Sequence, residues 1–266
     1  MNYSVKPFDN IDIRQAFALA INKNVVVQAA WKNSLIATNH IVPEGMPGYD
    51  ASLTGVDGAG TQGDQAKAKT LFATGLQQGG YASAAALPSI TLTYSSAGNQ
   101  AAKNEVSILQ QDWQNVLGVS VKVEDIDFNK LLTDITSNTL QFWGIAWITD
   151  YPDPQDWLTL QFDAGSGNNN MNYGQNHSTD AAAQQAVQKQ LEAADINQDP
   201  TSRFAAYNQA EQSLVNDVAW LPMEQVTAFY LLKPCVSGYT VDHQDLTPPN
   251  DWANIYITTA TPCANT

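Results

Sequence analysis

Apolar positions recur at three and four residues in "DNIDIRQAFALAIN": Ile13, Ala16, Phe17, Ala20 and Ile21 line one helical face, with Asp9 or Asn10 as a cap. The turn-rich segment "HIVPEGMPGYDASLTGVDGAGTQGD" predicts a long surface loop, and "DQAKAKTLFATGLQQGGY" a helix stopped at Gly79 and Gly80. The clearest unit follows. Ile90, Leu92 and Tyr94 alternate as in a strand, and Ala102, Val106, Leu109, Trp113 and Val116 repeat as in a helix. Val119, Val121 and Val123 then alternate again, which predicts a βαβ unit with parallel strands and a right-handed crossover. "FNKLLTDITSN" reads as a helix and "FWGIAWI" as a short buried strand. Two more helices are expected in "STDAAAQQAVQKQLEAADIN" and "PTSRFAAYNQAEQSLVND", with Asp180 near the start of one and Pro200 at the first turn of the other. "VAWLPMEQVTAFYLLKP" alternates as one long strand, and "WANIYIT" as a last one. Interleaved helices and strands make the fold class α/β.

Composition narrows the functions open to such a fold. The 266 residues are 44% hydrophobic, enough for a sizeable core in one large or two modest domains. Twelve basic against 26 acidic side chains give a formal charge of -14, which repels nucleic acid and anionic lipid. Runs such as "AFALAIN" are too short to span a bilayer, and the N-terminus shows no charged start followed by an apolar stretch. The cysteines, Cys235 and Cys263, form no CxxC pair, so metal ligation is disfavoured; a disulfide and two free thiols both fit the spacing. The glycines of "GVDGAG" follow no clear strand and end in no GK[ST], and no GxSxG occurs, so neither nucleotide binding nor serine hydrolysis has its signature. No cofactor is expected.

One segment concentrates chemistry. "WITDYPDPQDWL", residues 147–158, packs acids and rings around two prolines, and Pro152 and Pro154 fix the backbone as a rigid loop. Rigid loops carrying such groups are commonly binding surfaces. Asp150, Asp153, Asp156 and Asp163 permit three readings: a glycosidase pair, an oxygen cage for calcium without the EF-hand pattern, or solvated turn and cap residues, the last applying best to Asp153 and Asp156. Trp31, Trp113 and Trp220 are read as core. Trp143, Trp147, Tyr151 and Trp157 crowd one strand end and loop, where ring faces suit sugars, peptide side chains or other apolar groups alike.

Six stretches, in order, resemble those of the family 5 extracellular solute-binding proteins, the oligopeptide and dipeptide type that serves ABC importers. They are "PFDNIDIRQAFALAINKNVVV", "VPEGMPGYD", "GDQAKAKTLF", "WITDYPDP", "NNMNYGQNHSTDAAAQQA" and "WLPMEQVTAFYLLKPCVSGY". With the βαβ unit they cover nearly the whole chain. The resemblance implies one lobe of a type II periplasmic-binding-protein clamshell, a mixed sheet flanked by helices, with the first lobe outside this sequence. Residues 1–223 are then expected as the second lobe, and 224–266 as a hinge strand and tail returning to the first; residues 1 to about 6 resemble the other hinge strand.

By the same resemblance the aspartate of D-Y-x-x-P, here Asp150, pairs with a peptide's α-ammonium, flanked by Trp147 and Tyr151 as cleft walls and with Trp143 nearby. A charge-assisted bond there is stronger than a neutral one. Arg14 is expected in a structural ion pair. The implied partners are a peptide or other small solute and an ABC permease. The implied location is extracellular or periplasmic, with any membrane attachment through a lipid anchor on a preceding segment. An oligosaccharide carrier of the same family and a carboxylate-dependent glycoside hydrolase are the alternatives.

Overall fold

The computed structural model of the chain describes residues 1–242 and 244–259. Its centre is the expected βαβ unit. Strand Ile90–Tyr94 pairs in parallel with Val121–Asp125 on one side, Ile90 opposite Val121, and with Phe142–Trp143 on the other, Leu92 opposite Phe142. The crossover helix Gln100–Leu117 starts at Asn99, whose side chain accepts the Ala101 N–H, and ends at Gly118 with φ 68°. A positive φ there is what glycine tolerates without strain. The helix buries Val106, Leu109, Trp113 and Val116 against the sheet.

Trp113 also donates its indole N–H to the Phe17 carbonyl at 3.0 Å, tying this helix to Ile11–Leu19, which Asn10 caps through the Ile13 N–H. Phe8, Phe17, Trp113 and Phe142 meet with ring centroids 5.3–6.5 Å apart, a spacing at which edge and tilted contacts are favourable. This is the first core. Helix Gln65–Gln78 covers it with Ala68 and Phe72.

A second core forms between helices Ala181–Asp195 and Pro200–Asn216, with Tyr3, Ile41, Val42, Leu158, Phe162 and Tyr173. Pro200 occupies the first turn behind the cap Asp199, as expected. Arg14 joins the two cores. Its fully buried guanidinium donates to the carbonyls of Phe8 (2.9 Å) and Asp217 (3.0 Å) and to Asp180 Oδ2 (2.6 Å), and lies 3.7 Å over the Tyr3 ring. A planar fork that satisfies several acceptors at once is what arginine offers over lysine. Asp180, committed to Arg14, makes no cap bond to its own helix.

The structure corrects several expectations, mostly for want of strand partners. The long strand expected over 218–234 is reduced to Glu224–Val226, antiparallel to Leu35–Ala37. Val218 turns the chain with φ 55°, Pro222 lacks a donor, and Phe229 to Leu232 stand exposed with no ladder beside them. "FWGIAWI" keeps only Phe142–Trp143 as strand; once the Gly144 N–H reaches the Thr93 carbonyl the chain leaves the sheet, exposing Ile145 and Ile148. The last strand is Tyr256–Ile257, paired with Val236–Ser237. Residues 1–6 form turns rather than a strand, with the Asn2 and Tyr3 N–H groups bonded to the carbonyls of Gln141 and Met171. Cys235 is buried, while Cys263, with which a disulfide was one of two readings, lies outside the described residues.

Candidate functional site

The 144–157 segment leaves the carboxyl end of Phe142–Trp143, on the side of the parallel sheet where the loops after Tyr94 and Asp125 also emerge. Ligands of open parallel sheets characteristically meet that edge. There Asp125 accepts from the Ser96 N–H and hydroxyl at 2.8 and 2.7 Å, closing the neighbouring loop.

Residues 144–153 are irregular, as the prolines dictate, and then Pro154–Trp157 makes one helical turn. Asp153 is its N-cap, accepting the Gln155 N–H at 2.9 Å, with Pro154 at the first position. Arg203, on helix Pro200–Asn216, grips the same carboxylate with two parallel bonds of 2.8 and 2.7 Å. Burial works against the Asp153 charge, but the Arg203 and Gln155 hydrogen bonds outweigh it and hold the carboxyl below its usual range. Gly48, in "MPGYD", lies against this turn with φ 79°. A Cβ there would stand 2.8 Å from Pro154 Cγ and 2.9 Å from Phe204 Cδ1, so only glycine lets the 42–50 loop brace it.

Asp156 departs furthest from expectation. It is 0% exposed rather than solvated. Its Oδ2 accepts from the Asp150 N–H (3.1 Å), the Trp147 indole (3.3 Å) and the Thr149 hydroxyl (3.3 Å). Thr149 Oγ1 in turn accepts the Trp157 indole N–H at 2.7 Å. Burial, and to a lesser degree the neighbouring Asp150 charge, push the Asp156 carboxyl above its usual range against these hydrogen bonds. Nothing in the sequence marks it: an acid two residues beyond a proline is ordinarily a turn residue.

Asp150, by contrast, is exposed, and its carboxylate has no hydrogen-bond or ionic partner among the described residues. Only its main-chain groups are engaged, the N–H by Asp156 and the carbonyl by Gln244 of the tail. Trp147 is half-buried beside it, and Tyr151, exposed, donates its hydroxyl to Gln155. Trp143 is turned partly into the second core, as is Trp157. The loop thus ties the Trp147 indole and the Asp150 main chain to one acceptor, Asp156 Oδ2, while Tyr151 turns to Gln155 and Trp143 to the second core. Of the three tryptophans expected in the core, Trp113 is fully buried; Trp31 and Trp220 are half-buried, Trp31 bonding Glu105 at 2.7 Å.

Of the four acids singled out in the sequence, Asp153 holds Arg203, Asp156 is interior, and Asp163 is half-buried and accepts the Gly165 N–H at 3.3 Å, which leaves Asp150 as the exposed one. No grouping of metal-ligating side chains occurs among the described residues. A cavity of about 300 Å³ opens elsewhere, beside the Leu35–Ala37 strand, and is lined in part by His40, Glu44, Tyr49 and Gln225. Burial holds the His40 imidazole, 3.2 Å from the Tyr49 hydroxyl, below its usual pKa. The 147–157 loop does not line that cavity.

Comparison with known proteins bears on the family and the fold. The sequence profile of the bacterial extracellular solute-binding proteins, family 5 Middle, matches residues 1–170. The dipeptide-binding protein DppE of Bacillus subtilis is 30% identical over 238 residues, which cover 89% of this chain and 41% of that protein. The dipeptide-binding protein of Escherichia coli is 24% identical over 242 residues, 91% of this chain and 42% of its own. Among solved structures, the E. coli murein tripeptide binding protein MppA matches with a TM-score of 0.75 at 21% identity, over 97% of this chain and 47% of that one. NikA from Brucella suis, solved in complex with Fe(III)-EDTA, matches with a TM-score of 0.73 at 18% identity, over 97% of this chain and 50% of its own.

The structural matches bear out a periplasmic-binding-protein-like α/β fold. The chain spans less than half the length of the curated relatives it matches. Among its described residues no helix is long and apolar enough to cross a membrane. The profile match over residues 1–170, more than half of the 266, shows that this chain belongs to the bacterial extracellular solute-binding proteins of family 5.

Proposed function

We propose that the chain forms one lobe of a two-lobed carrier that captures peptides outside the membrane and passes them unconverted to an ABC permease, with Asp150 receiving the peptide's α-ammonium group. In this reading residues 1–223 are the lobe, and residues 224–266 begin the return to a partner lobe. The observation that carries it is the state of the acids: of Asp150, Asp153 and Asp156, only Asp150 keeps its carboxylate open. An unpaired acid with the half-buried Trp147 and the exposed Tyr151 near it in the loop is suited to a cationic terminus whose neighbouring atoms are apolar. The names of the relatives, dipeptide-binding and murein peptide-binding, support the substrate class. NikA, with its chelated iron, shows that the shared fold alone does not fix the cargo.

Calorimetry on the full-length protein that carries this chain tests the reading. Asp150→Ala should weaken binding of a captured peptide by about 2–5 kcal/mol if the ammonium contact is desolvated, and N-acetylation of the peptide should weaken binding to the unaltered protein similarly. Equal affinity for free and acetylated peptide would remove Asp150 from the site. Release of product from a chromogenic glycoside would instead favour hydrolysis.

A further inference from the structure

The acid most engaged within this loop is not the one that meets solvent. Asp156 has no exposed surface, yet one of its oxygens receives three donors, all from residues 147–150. These three bonds fix the indole of Trp147, the hydroxyl of Thr149 and the main chain of Asp150, in the irregular stretch where no sheet or helix ladder holds the backbone. Through Thr149 the same carboxylate also orients Trp157. Asp156 is itself held from below: it lies in the short turn Pro154–Trp157, whose cap Asp153 is clamped by Arg203, and the Gln161 amide donates to its carbonyl at 3.1 Å. Its second oxygen, Oδ1, is buried without a partner. Packing energy alone gives no reason to place an acid here, since a buried unpaired carboxylate oxygen is costly.

We propose that Asp156 is the positioning residue of the site: its Oδ2, acting as a common acceptor, presets the backbone at Asp150 and the ring of Trp147 before ligand arrives. The inference rests on the reading of Asp150 as the ammonium contact. It assigns to Asp156 no contact with ligand. Fixing a loop beforehand removes the ordering cost that binding would otherwise bear.

The role requires an acceptor at Oδ2 and does not require charge, and that separates it from direct ion pairing. Asp156→Asn retains one acceptor oxygen and the side-chain shape; Asp156→Ala retains neither. In the full-length protein, offered a pool of free tripeptides with bound species read by mass spectrometry and affinities by calorimetry, Asp156→Ala should bind about tenfold or more weakly, the scale of one lost buried hydrogen bond. Asp156→Asn should stay within about threefold of the unaltered protein. If Asp150→Asn abolishes capture while Asp156→Ala does not, the inference fails and the reading of Asp150 stands. If Asp156→Asn is as weak as Asp156→Ala, binding needs the charge itself and a positioning role through an acceptor alone is wrong. If the unaltered protein captures no peptide, or Asp150→Asn captures as well as it does, the Asp150 reading fails on its own.

A second measurement needs neither ligand nor variant. In this chain the Asp150 amide, bonded to Asp156, should exchange with solvent more slowly than the Tyr151 amide beside it, for which the structure gives no acceptor among the described residues. Equal exchange at the two would mean that the bond does not hold the loop, and would overturn the inference whatever the binding results.

Discussion

Glu211 is a single buried carboxylate with a large effect on how stability should follow pH. It points from helix Pro200–Asn216 to the Ile41 and Val42 N–H groups, which donate to Oε1 at 2.8 and 2.9 Å, while Oε2 is buried without a partner. Burial pushes its pKa up from 4.5 to about 7, against the pull of those two hydrogen bonds. Between these values the native protein holds a proton that the unfolded chain has released, so the stabilisation is complete below pH 4.5 and is lost as pH rises through 7. Glu211→Gln keeps an acceptor for both N–H groups and never ionises. Urea unfolding should therefore find the variant and parent close at pH 5, and the variant more stable by about 1–3 kcal/mol at pH 8. A constant difference across that range would show that Glu211 stays ionised in the fold. Residues like this one and Asp156 are where sequence reading stops. Both acids sit in polar, turn-rich or helical strings that read as solvated, and only the tertiary packing of 40–48 and 147–150 against them makes them interior. Asp150 was singled out by the resemblance alone; its exposure is what the structure adds.

At the scale of elements, legibility followed whether an element carries its own partner. The βαβ unit does: its helix and strands bury one another, and periodicity alone located Ile90–Tyr94, Gln100–Leu117 and Val121–Asp125 closely. The segment at 218–234 alternates just as clearly, but its ladder is limited by the three-residue strand Leu35–Ala37, and pairing cannot be read from one strand. The site depends on an element contact of the second kind. Arg203 of helix Pro200–Asn216 reaches Asp153 at the cap of Pro154–Trp157, and also meets Tyr207, with its guanidinium carbon 4.8 Å from the ring centre and Nη2 3.1 Å from the hydroxyl. Replacing it by lysine keeps the charge but loses the fork and the flat ring contact. Arg203→Lys should lower unfolding stability by about 1 kcal/mol, at the upper end for partly exposed pairs because the geometry is bidentate. Most of that loss should vanish when Asp153 is already asparagine. A full loss in the Asp153→Asn background would mean that Arg203 acts through Tyr207 alone.

For the whole molecule the informative feature is apolar surface with no cover. Ile36 and Val226 lie outward on the two-stranded ladder, and Phe229, Tyr230, Leu231 and Leu232 follow it, Phe229 at 79% exposure and Leu231 entirely open. A two-stranded ladder is marginal by itself, and contiguous exposed rings and aliphatics mark a surface that associates. The charge of -14 opposes self-association elsewhere on the surface, but none of the residues from Val226 to Leu232 is charged. If the proposed two-lobe arrangement is right, this stretch runs between lobes and is covered in the full-length protein. The chain alone should then bind a hydrophobic dye such as ANS and show concentration-dependent sedimentation, and the full-length protein should do neither. Leu231→Glu discriminates further. In the isolated chain it should reduce dye binding and leave the unfolding midpoint unchanged, because the side chain touches solvent only. In the full-length protein it should destabilise by about 2–5 kcal/mol, the cost of burying an unpaired charge within an apolar contact. A variant that is neutral in both settings would mean that the stretch stays in water, and the assignment of residues 224–232 to an interlobe crossing would have to be abandoned.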